Sequence, residues 1–385
     1  MGRRRRRLLL APEVQPRPRS GGIERGALAL EVVLRHPRRK RRLGELAVDA
    51  VEPVAEHAAP ERRERERALA REGDVADAAI RGAHPYTGRR VREQLKQALK
   101  NGVYRALGET TRSLGVVNGD GRTLRVLMYH KVNDLHGNRM SIPVSVFEEQ
   151  MAQLRELGYA VVDLDAVLAH YVDRKPLPAG AVLITFDDGY RDNLENAAPI
   201  LQRYGYPAVQ FVPLGYVGDP LPLPHEEALA TRGILNRTVD WEELAELERC
   251  GVRIESHGIA HRPLADLDVD VAAREIVISK LRLEEMLGRP VRAFSYVKGS
   301  EAHYKPVHLS LVRQAGYDVA FTSISGANSP ASDPLQLHRY NVEPYPPRTF
   351  ELVLAGACDL IAMKDTVTGT HARRLFNAAL GTSSK

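Results

Sequence analysis

The sequence predicts an α/β protein whose parallel βαβ units curl into a barrel, and two observations carry that expectation. From Thr123 onward, short apolar, β-favouring runs alternate with amphipathic helical stretches, giving six or seven units. That order builds a parallel sheet covered by helices. The second observation is the stretch Ala181 to Tyr190, Ala-Val-Leu-Ile-Thr-Phe-Asp-Asp-Gly-Tyr. Six mostly apolar residues run into two carboxylates and a glycine, as a buried strand does when it delivers acidic side chains to a site at its C-terminal end. Side chains on a regular strand alternate between faces, so Asp187 and Asp188 can serve one site only where the backbone turns, as Gly189 permits. A solvated strand-end turn is the plainer alternative for Asp-Asp-Gly taken alone.

Residues 1–90 stand apart in composition, with Tyr86 the sole aromatic residue and Lys40 the sole lysine. They hold 22 Lys/Arg against 13 Asp/Glu, an excess of +9 within a chain of net charge +6, so the remainder carries −3. The basic character therefore belongs to this extension and gives no reason to expect a nucleic-acid binder in the main domain. The segment has little to bury and is expected to be disordered, or to reflect an upstream start choice in a GC-rich gene, with the native chain beginning near Val91. Arg3 to Arg7 followed by Leu8-Leu9-Leu10-Ala11 imitates an export signal, but Pro12-Glu13 ends the apolar part before the roughly 7 residues such a signal needs. No run reaches the roughly 18–20 apolar residues that cross a bilayer. A cytoplasmic or membrane-peripheral location is the expectation. The two cysteines, Cys250 and Cys358, lack CxxC spacing and argue against a disulfide framework or thiolate metal site.

The elements follow in order. Val91 opens an amphipathic helix to about Leu107, with Leu95, Ala98 and Leu99 on one face, and a linker runs to residue 122. Residues 123–362 form the barrel and 363–385 a C-terminal tail. Leu124 to Tyr129 is the first strand, leading into His130. A helix to Leu157 follows, with Ser145 and Glu148 spaced as a capping box. Strand Ala160 to Val162, helix Leu164 to Tyr171 and the Asp-Asp strand come next, then helix Asn193 to Tyr204 and strand Ala208 to Val212. Pro213 to Val239 is a connection containing Pro and Gly, with a short helix near Glu226 to Thr231. Helix Trp241 to Cys250, strand Val252 to Glu255, helix Val269 to Leu287, strand Ala293 to Tyr296, helix Val307 to Ala315, and strands Ala320 to Thr322 and Arg339 to Val342 complete the pass.

After strand Val252 to Glu255 stands Ser256-His257-Gly258-Ile259-Ala260-His261. Two histidines at i and i+4 on one side of a helical turn lie about 5–6 Å apart at Cβ, close enough to share one cation. This pair also follows a strand, so a parallel barrel puts it on the same face as the two aspartates. His, His and one Asp leave an open coordination position, the pattern of a catalytic zinc site, while the other aspartate remains as a base.

In Thr185 to Tyr190 and Ser256 to His261 the chain resembles the polysaccharide deacetylases of the NodB-homology type, carbohydrate esterase family 4. It is most similar to the poly-N-acetylglucosamine deacetylase branch in Met128-Tyr129-His130-Lys131-Val132, in Phe147 with Leu154 to Gly158, and in Trp241, Leu244, Leu247 and Gly251. Gly288-Arg289-Pro290 and Ala315-Gly316-Tyr317 also fit. The resemblance covers about Leu124 to Leu360. It implies a distorted (β/α)7 barrel and metal-dependent removal of acetyl groups from an N-acetylated glycan, with Zn2+, Co2+ or Ni2+ as cofactor. Asp188, His257 and His261 would bind the cation and Asp187 would be the general base. His130, preferred, or His338 would protonate the leaving amine. Arg339 would orient Asp187, and Tyr190, Tyr296 and Lys298 would contact substrate. The chain departs from the family at Phe294-Ser295-Tyr296-Val297-Lys298-Gly299, where the family typically has Phe-Arg-Pro-Pro-Tyr-Gly or Phe-Ala-Tyr-Pro-Tyr-Gly. Lys298 in place of an aromatic residue either removes part of the acetyl or sugar-stacking wall or favours an acidic glycan, with a drifted loop the plainer alternative, and Glu255 is expected to accept a hydrogen bond from His257.

Overall fold

A computed structural model describes residues 123–357 except 136, 137 and 139, together with 98, 101–106, 108–111, 113 and 359. The expectations for residues 1–90 and 363–385 lie outside the described residues. Strand β1 is Arg125–Tyr129, followed by helix α1 (Val144–Glu156), β2 (Ala160–Val161), α2 (Leu164–Asp173) and β3 (Ala181–Phe186). Then come α3 (Ala198–Tyr204), β4 (Ala208–Val212), α4 (Trp241–Arg249), β5 (Val252–Ser256) and α5 (Val269–Leu287). Strand β6 (Ala293–Ser295), α6 (Pro306–Gln314), β7 (Val319–Phe321), β8 (Tyr340–Asn341) and α7 (Pro347–Leu354) complete the series. The sheet runs β8-β1-β3-β4-β5-β6-β7 with β2 paired to β3, and every pairing is parallel. Its two ends are spanned by one stretch of chain. The Leu337 N–H donates to Ala320 O and its carbonyl accepts from Thr322 N, while Tyr340 pairs with Leu127. The parallel α/β barrel expected from the alternation is therefore what forms.

The alternation of side chains along the strands divides the core into two parts. Val126, Leu183, Val209, Phe211, Ala293, Val319, Phe321 and Leu337 face inward and pack with Leu164, Val167, Leu168 and Tyr171 of α2. Leu127, Tyr129, Ile184, Phe186, Ile254, Phe294, Tyr296 and Ala320 face outward beneath the helical layer. Period-two alternation carried to the strand ends places His130, Asp187, His257, Ser295 and Arg339 on the inward series.

Several local expectations change. Helix α1 starts at Val144 after Pro143, and no side-chain cap forms at its N-terminus. Proline's fixed φ makes the break from the short strand Ser141–Ile142, which pairs in parallel with Lys131–Val132, and Asp134 Oδ1 accepts from Val144 N instead of a capping box at Ser145. The helix expected from Asn193 opens as a π-turn, Asn193–Ala197, before α3. Helix α7 was not expected, although Pro347 at its first position is a start signal. Beyond the expected end near Leu107, residues 108–111 and 113 are also helical. The N-terminal helical stretch docks through Tyr104, 5.7 Å from Tyr345 between ring centroids, and through the Glu109–Arg348 pair at 2.7 Å.

Candidate active site

The inward residues at the C-terminal ends of the strands converge on two carboxylates. The ladder still holds at Asp187, whose N–H donates to Tyr129 O at 3.0 Å. The turn begins one residue earlier than expected, at Asp188 with φ 73°, and continues at Gly189 with φ 68°. Aspartate tolerates this left-handed conformation better than most residues. The reversal swings Asp188 to the side already occupied by Asp187, and both are buried.

Arg339 holds Asp187 with a bidentate pair, Nη1 to Oδ1 and Nη2 to Oδ2, each at 2.7 Å. Its other donors go to Thr322 O (2.8 Å), Thr185 Oγ1 (3.3 Å) and Ser295 Oγ (2.8 Å). All five guanidinium N–H groups are thereby engaged in a fully buried side chain. Burial opposes ionisation of Asp187, but Arg339, followed by His257, outweighs it and holds the carboxyl below its usual range. An ionised carboxylate fixed in one orientation can accept a proton and cannot rotate away.

Asp188 faces the two histidines. His261 Nε2 is 2.8 Å and His257 Nε2 3.6 Å from Asp188 Oδ1, near the roughly 3 Å separating donors on one ion at zinc-to-ligand bonds of about 2.0–2.2 Å. His257 Nδ1 lies 2.8 Å from Ser295 O and donates to it, which leaves Nε2 facing Asp188. Asp188 Oδ2 is buried without a hydrogen-bond partner. Burial opposes ionisation of Asp188 as well, yet His261 and then His257 hold its carboxyl well below the usual range. The donor atoms of Asp188, His257 and His261 lie within 4.8 Å of one another, and among the described residues no other such group occurs. Two neutral-capable imidazoles meeting one buried carboxylate oxygen, Asp188 Oδ1, fit a divalent cation.

The helical turn expected for His257 to His261 does not form. The segment is a loop in which Gly258 has φ 78° and His261 φ 52°, and Glu275 of α5 shapes it. The Glu275 carboxylate accepts from Ile259 N at 2.6 Å and from Ala260 N at 3.0 Å. A Cβ at residue 258 would come within 3.1 Å of Glu275 Oε2, so glycine is needed both for its φ and for this approach. Nor does Glu255 support His257. It sits one inward position below, where it accepts from Arg292 N and Ala293 N at 2.7 Å and pairs with Arg253 and Arg289. The Ser295 carbonyl fills the role instead.

The two candidate acids separate. His130 is acted on by burial, which lowers its pKa, and then by Asp188, Asp187 and Arg339, so it belongs to the cluster. His338 precedes inward-facing Arg339 and points the other way. It packs against Gly326, and the charges acting on it are those of Glu301 and Asp359. The structure does not bring His338 to the aspartates.

The expected substrate contacts divide similarly. Tyr296 lies on the outward series, 1% exposed, with its hydroxyl donating to Leu335 O and its ring stacked 4.5 Å from Tyr304. It supports the strand from behind and offers no surface to a sugar. Tyr190 is equally buried, with its hydroxyl 2.8 Å from His225 Nε2 and Lys131 Nζ 4.9 Å above its ring. Lys298 is exposed, with φ 57°, and its carbonyl accepts from Ser323 Oγ.

Three site residues were not anticipated: Ser295, Glu275 and His225. The in-out alternation of β6 would have exposed Ser295, flanked by outward Phe294 and Tyr296. Glu275 is a carboxylate in the middle of an amphipathic helix, and no local pattern marks it. His225 lies in the Pro-rich connection after β4, where only the polar run His225-Glu226-Glu227 stands out.

A barrel with a clamped carboxylate beside a buried Asp-His-His cluster defines a hydrolase class, and comparison with known proteins identifies it. The chain belongs to the polysaccharide deacetylase family, carbohydrate esterase family 4, and is an N-deacetylase. The family's sequence pattern, polysaccharide deacetylase, matches residues 174–320. YxkH of Bacillus subtilis (strain 168), named for polysaccharide deacetylation, is 32% identical over 222 residues, covering 57% of this chain and 72% of that protein. The poly-beta-1,6-N-acetyl-D-glucosamine N-deacetylase of Escherichia coli (strain K12) is 40% identical over 91 residues, 23% of this chain and only 13% of that protein. IcaB from Ammonifex degensii has a similar structure, with 25% identity, a TM-score of 0.52, and coverage of 62% of this chain and 97% of that one.

Proposed function

We propose that this protein is a metal-dependent hydrolase that removes acetyl groups from N-acetylglucosamine-type units of a bacterial polysaccharide or its precursor. The observation that carries the reading is the pairing of an arginine-clamped Asp187 with the buried Asp188–His257–His261 cluster. The relatives whose names specify poly-beta-1,6-N-acetyl-D-glucosamine support the choice of sugar. Asp188, His257 and His261 would hold the cation, with Zn2+ the first choice and Co2+ or Ni2+ alternatives. When bound, that ion supplies a Lewis acid that polarises the amide carbonyl and makes water more acidic.

The remaining chemistry falls to the chain. Asp187, kept ionised by Arg339, takes a proton from the attacking water. Ser295 and Arg339 keep the carboxylate from turning. His130, acted on by the same charged groups, takes up a proton and gives it to the departing amine so that it leaves neutral. Lys298, at the exposed rim, is the contact for acidic groups on the glycan.

The test is acetate release from chitooligosaccharides and poly-N-acetylglucosamine with added Zn2+, Co2+ or Ni2+. Wild-type turnover is expected, with Asp187→Asn lowering it by about 10²–10⁴-fold. No acetate from any N-acetylated glycan with any of these ions would refute the reading.

A further inference from the structure

His225 lies outside the expected set of site residues, and its surroundings give it a part in the cation site on which the proposed function rests. It reaches the site from the connection between β4 and α4. Its Nε2 is 2.8 Å from the Tyr190 hydroxyl and 3.4 Å from Asp188 Oδ2, the buried oxygen that has no hydrogen-bond partner. Its ring centroid is 5.0 Å from that of His261. The backbone beside it is anchored from two directions. The next residue, Glu226, is buried and takes the ammonium of fully buried Lys131 at 2.6 Å, and it also accepts from Asn236 Nδ2. Lys131 in turn stands over the Tyr190 ring. A buried ion pair on a connecting segment is costly to desolvate, and here it fixes the position of the neighbouring imidazole.

We propose that His225 is a positioning residue of the cation site, restraining Asp188 through Oδ2 so that Oδ1 stays turned toward His257 and His261. A ligating carboxylate with one free oxygen can rotate about its last side-chain torsion, which is broad. The imidazole, 3.4 Å from Oδ2 and hydrogen-bonded to the Tyr190 hydroxyl, blocks that rotation, and loss of such a neighbour typically lowers metal affinity about 10–100-fold. The Lys131–Glu226 pair holds that imidazole in register. A role confined to latching the connection onto Tyr190 would affect stability and leave the cation untouched.

The experiment titrates the full-length protein with Zn2+ alone by calorimetry and with Co2+ alone by visible absorption, beside thermal melting. His225→Ala is expected to weaken Zn2+ binding about 10–100-fold while the Co2+ spectrum keeps the form given by an unchanged ligand set. His225→Gln, which refills the space beside Oδ2, is expected to recover most of the affinity. Glu226→Gln, which keeps the imidazole but weakens its anchor, should fall between. Wild-type affinity in a folded His225→Ala protein overturns the proposal, as does a Co2+ spectrum that loses a nitrogen ligand, since His225 would then bind the ion directly. Failure of the wild type to bind either ion would overturn the cation site itself, a different result from failure at His225.

Discussion

At the residue scale, Arg339 decides what Asp187 can do. Its five donors are spread over four residues from β3, the end of that strand, β6 and the exit of β7. The guanidinium therefore ties the strand ends together as well as clamping a carboxylate. Removing it leaves a buried carboxylate unpaired, so Arg339→Met is expected to lower stability by about 3–5 kcal/mol, measured by denaturant unfolding. Arg339→Lys keeps the charge but not the bidentate fork and should retain more stability than Met while losing turnover. The aspartate pair and the histidine pair were legible because each follows a strand in a recognisable order. Tyr296 and His338 were misplaced for one shared reason. Each sits next to an inward residue, Ser295 or Arg339, and a shift of one position along an extended chain sends a side chain to the opposite face.

At the element scale, the loop from His257 to His261 shows why spacing alone can mislead. HxxxH is compatible with a helical turn, yet the two imidazoles converge through a non-helical path with left-handed residues at Gly258 and His261. The long helix α5 makes that path possible by presenting Glu275 to two backbone N–H groups. Glu275→Ala would leave both donors unpaired, one of them buried and the other partly so. It is expected to lower stability by about 2–4 kcal/mol and to weaken cation binding, both read by unfolding with and without Zn2+. Glu275→Gln keeps an acceptor oxygen and should behave much closer to wild type. Helix and strand positions were legible from periodicity in most cases, with α5 matching over its full expected span. The contacts between α5 and the loop were not, because they join residues 15–16 positions apart through backbone groups that carry no sequence mark.

At the scale of the whole molecule, the parallel curled sheet brings every site residue to one end of the strands. The apolar face of α2 packs against the inward side chains of the strands. The barrel was legible because alternating strands and helices leave few other architectures. Its closure by the chain from Leu337 to Asn341 was not, since the strand expected at Arg339 to Val342 carries no mark of pairing with β1. The N-terminal helical stretch belongs to the folded unit through Tyr104 and Glu109. A chain beginning at Val91 is expected to keep the wild-type melting temperature and acetate release. Deletion through residue 113 should lower the melting temperature by exposing Tyr345 and removing one of the two carboxylates paired with Arg348. No helix among the described residues is long and apolar enough to cross a membrane.

The central claim is that Asp188, His257 and His261 hold a catalytic cation beside Asp187. Anomalous diffraction at the zinc edge from crystals of the protein with Zn2+ tests it most directly. The account predicts a single strong peak about 2.0–2.2 Å from Asp188 Oδ1, His257 Nε2 and His261 Nε2, with Asp187 outside the coordination sphere on Arg339. A peak bound to Asp187 instead, or an ion held elsewhere with these three residues unliganded, would contradict it.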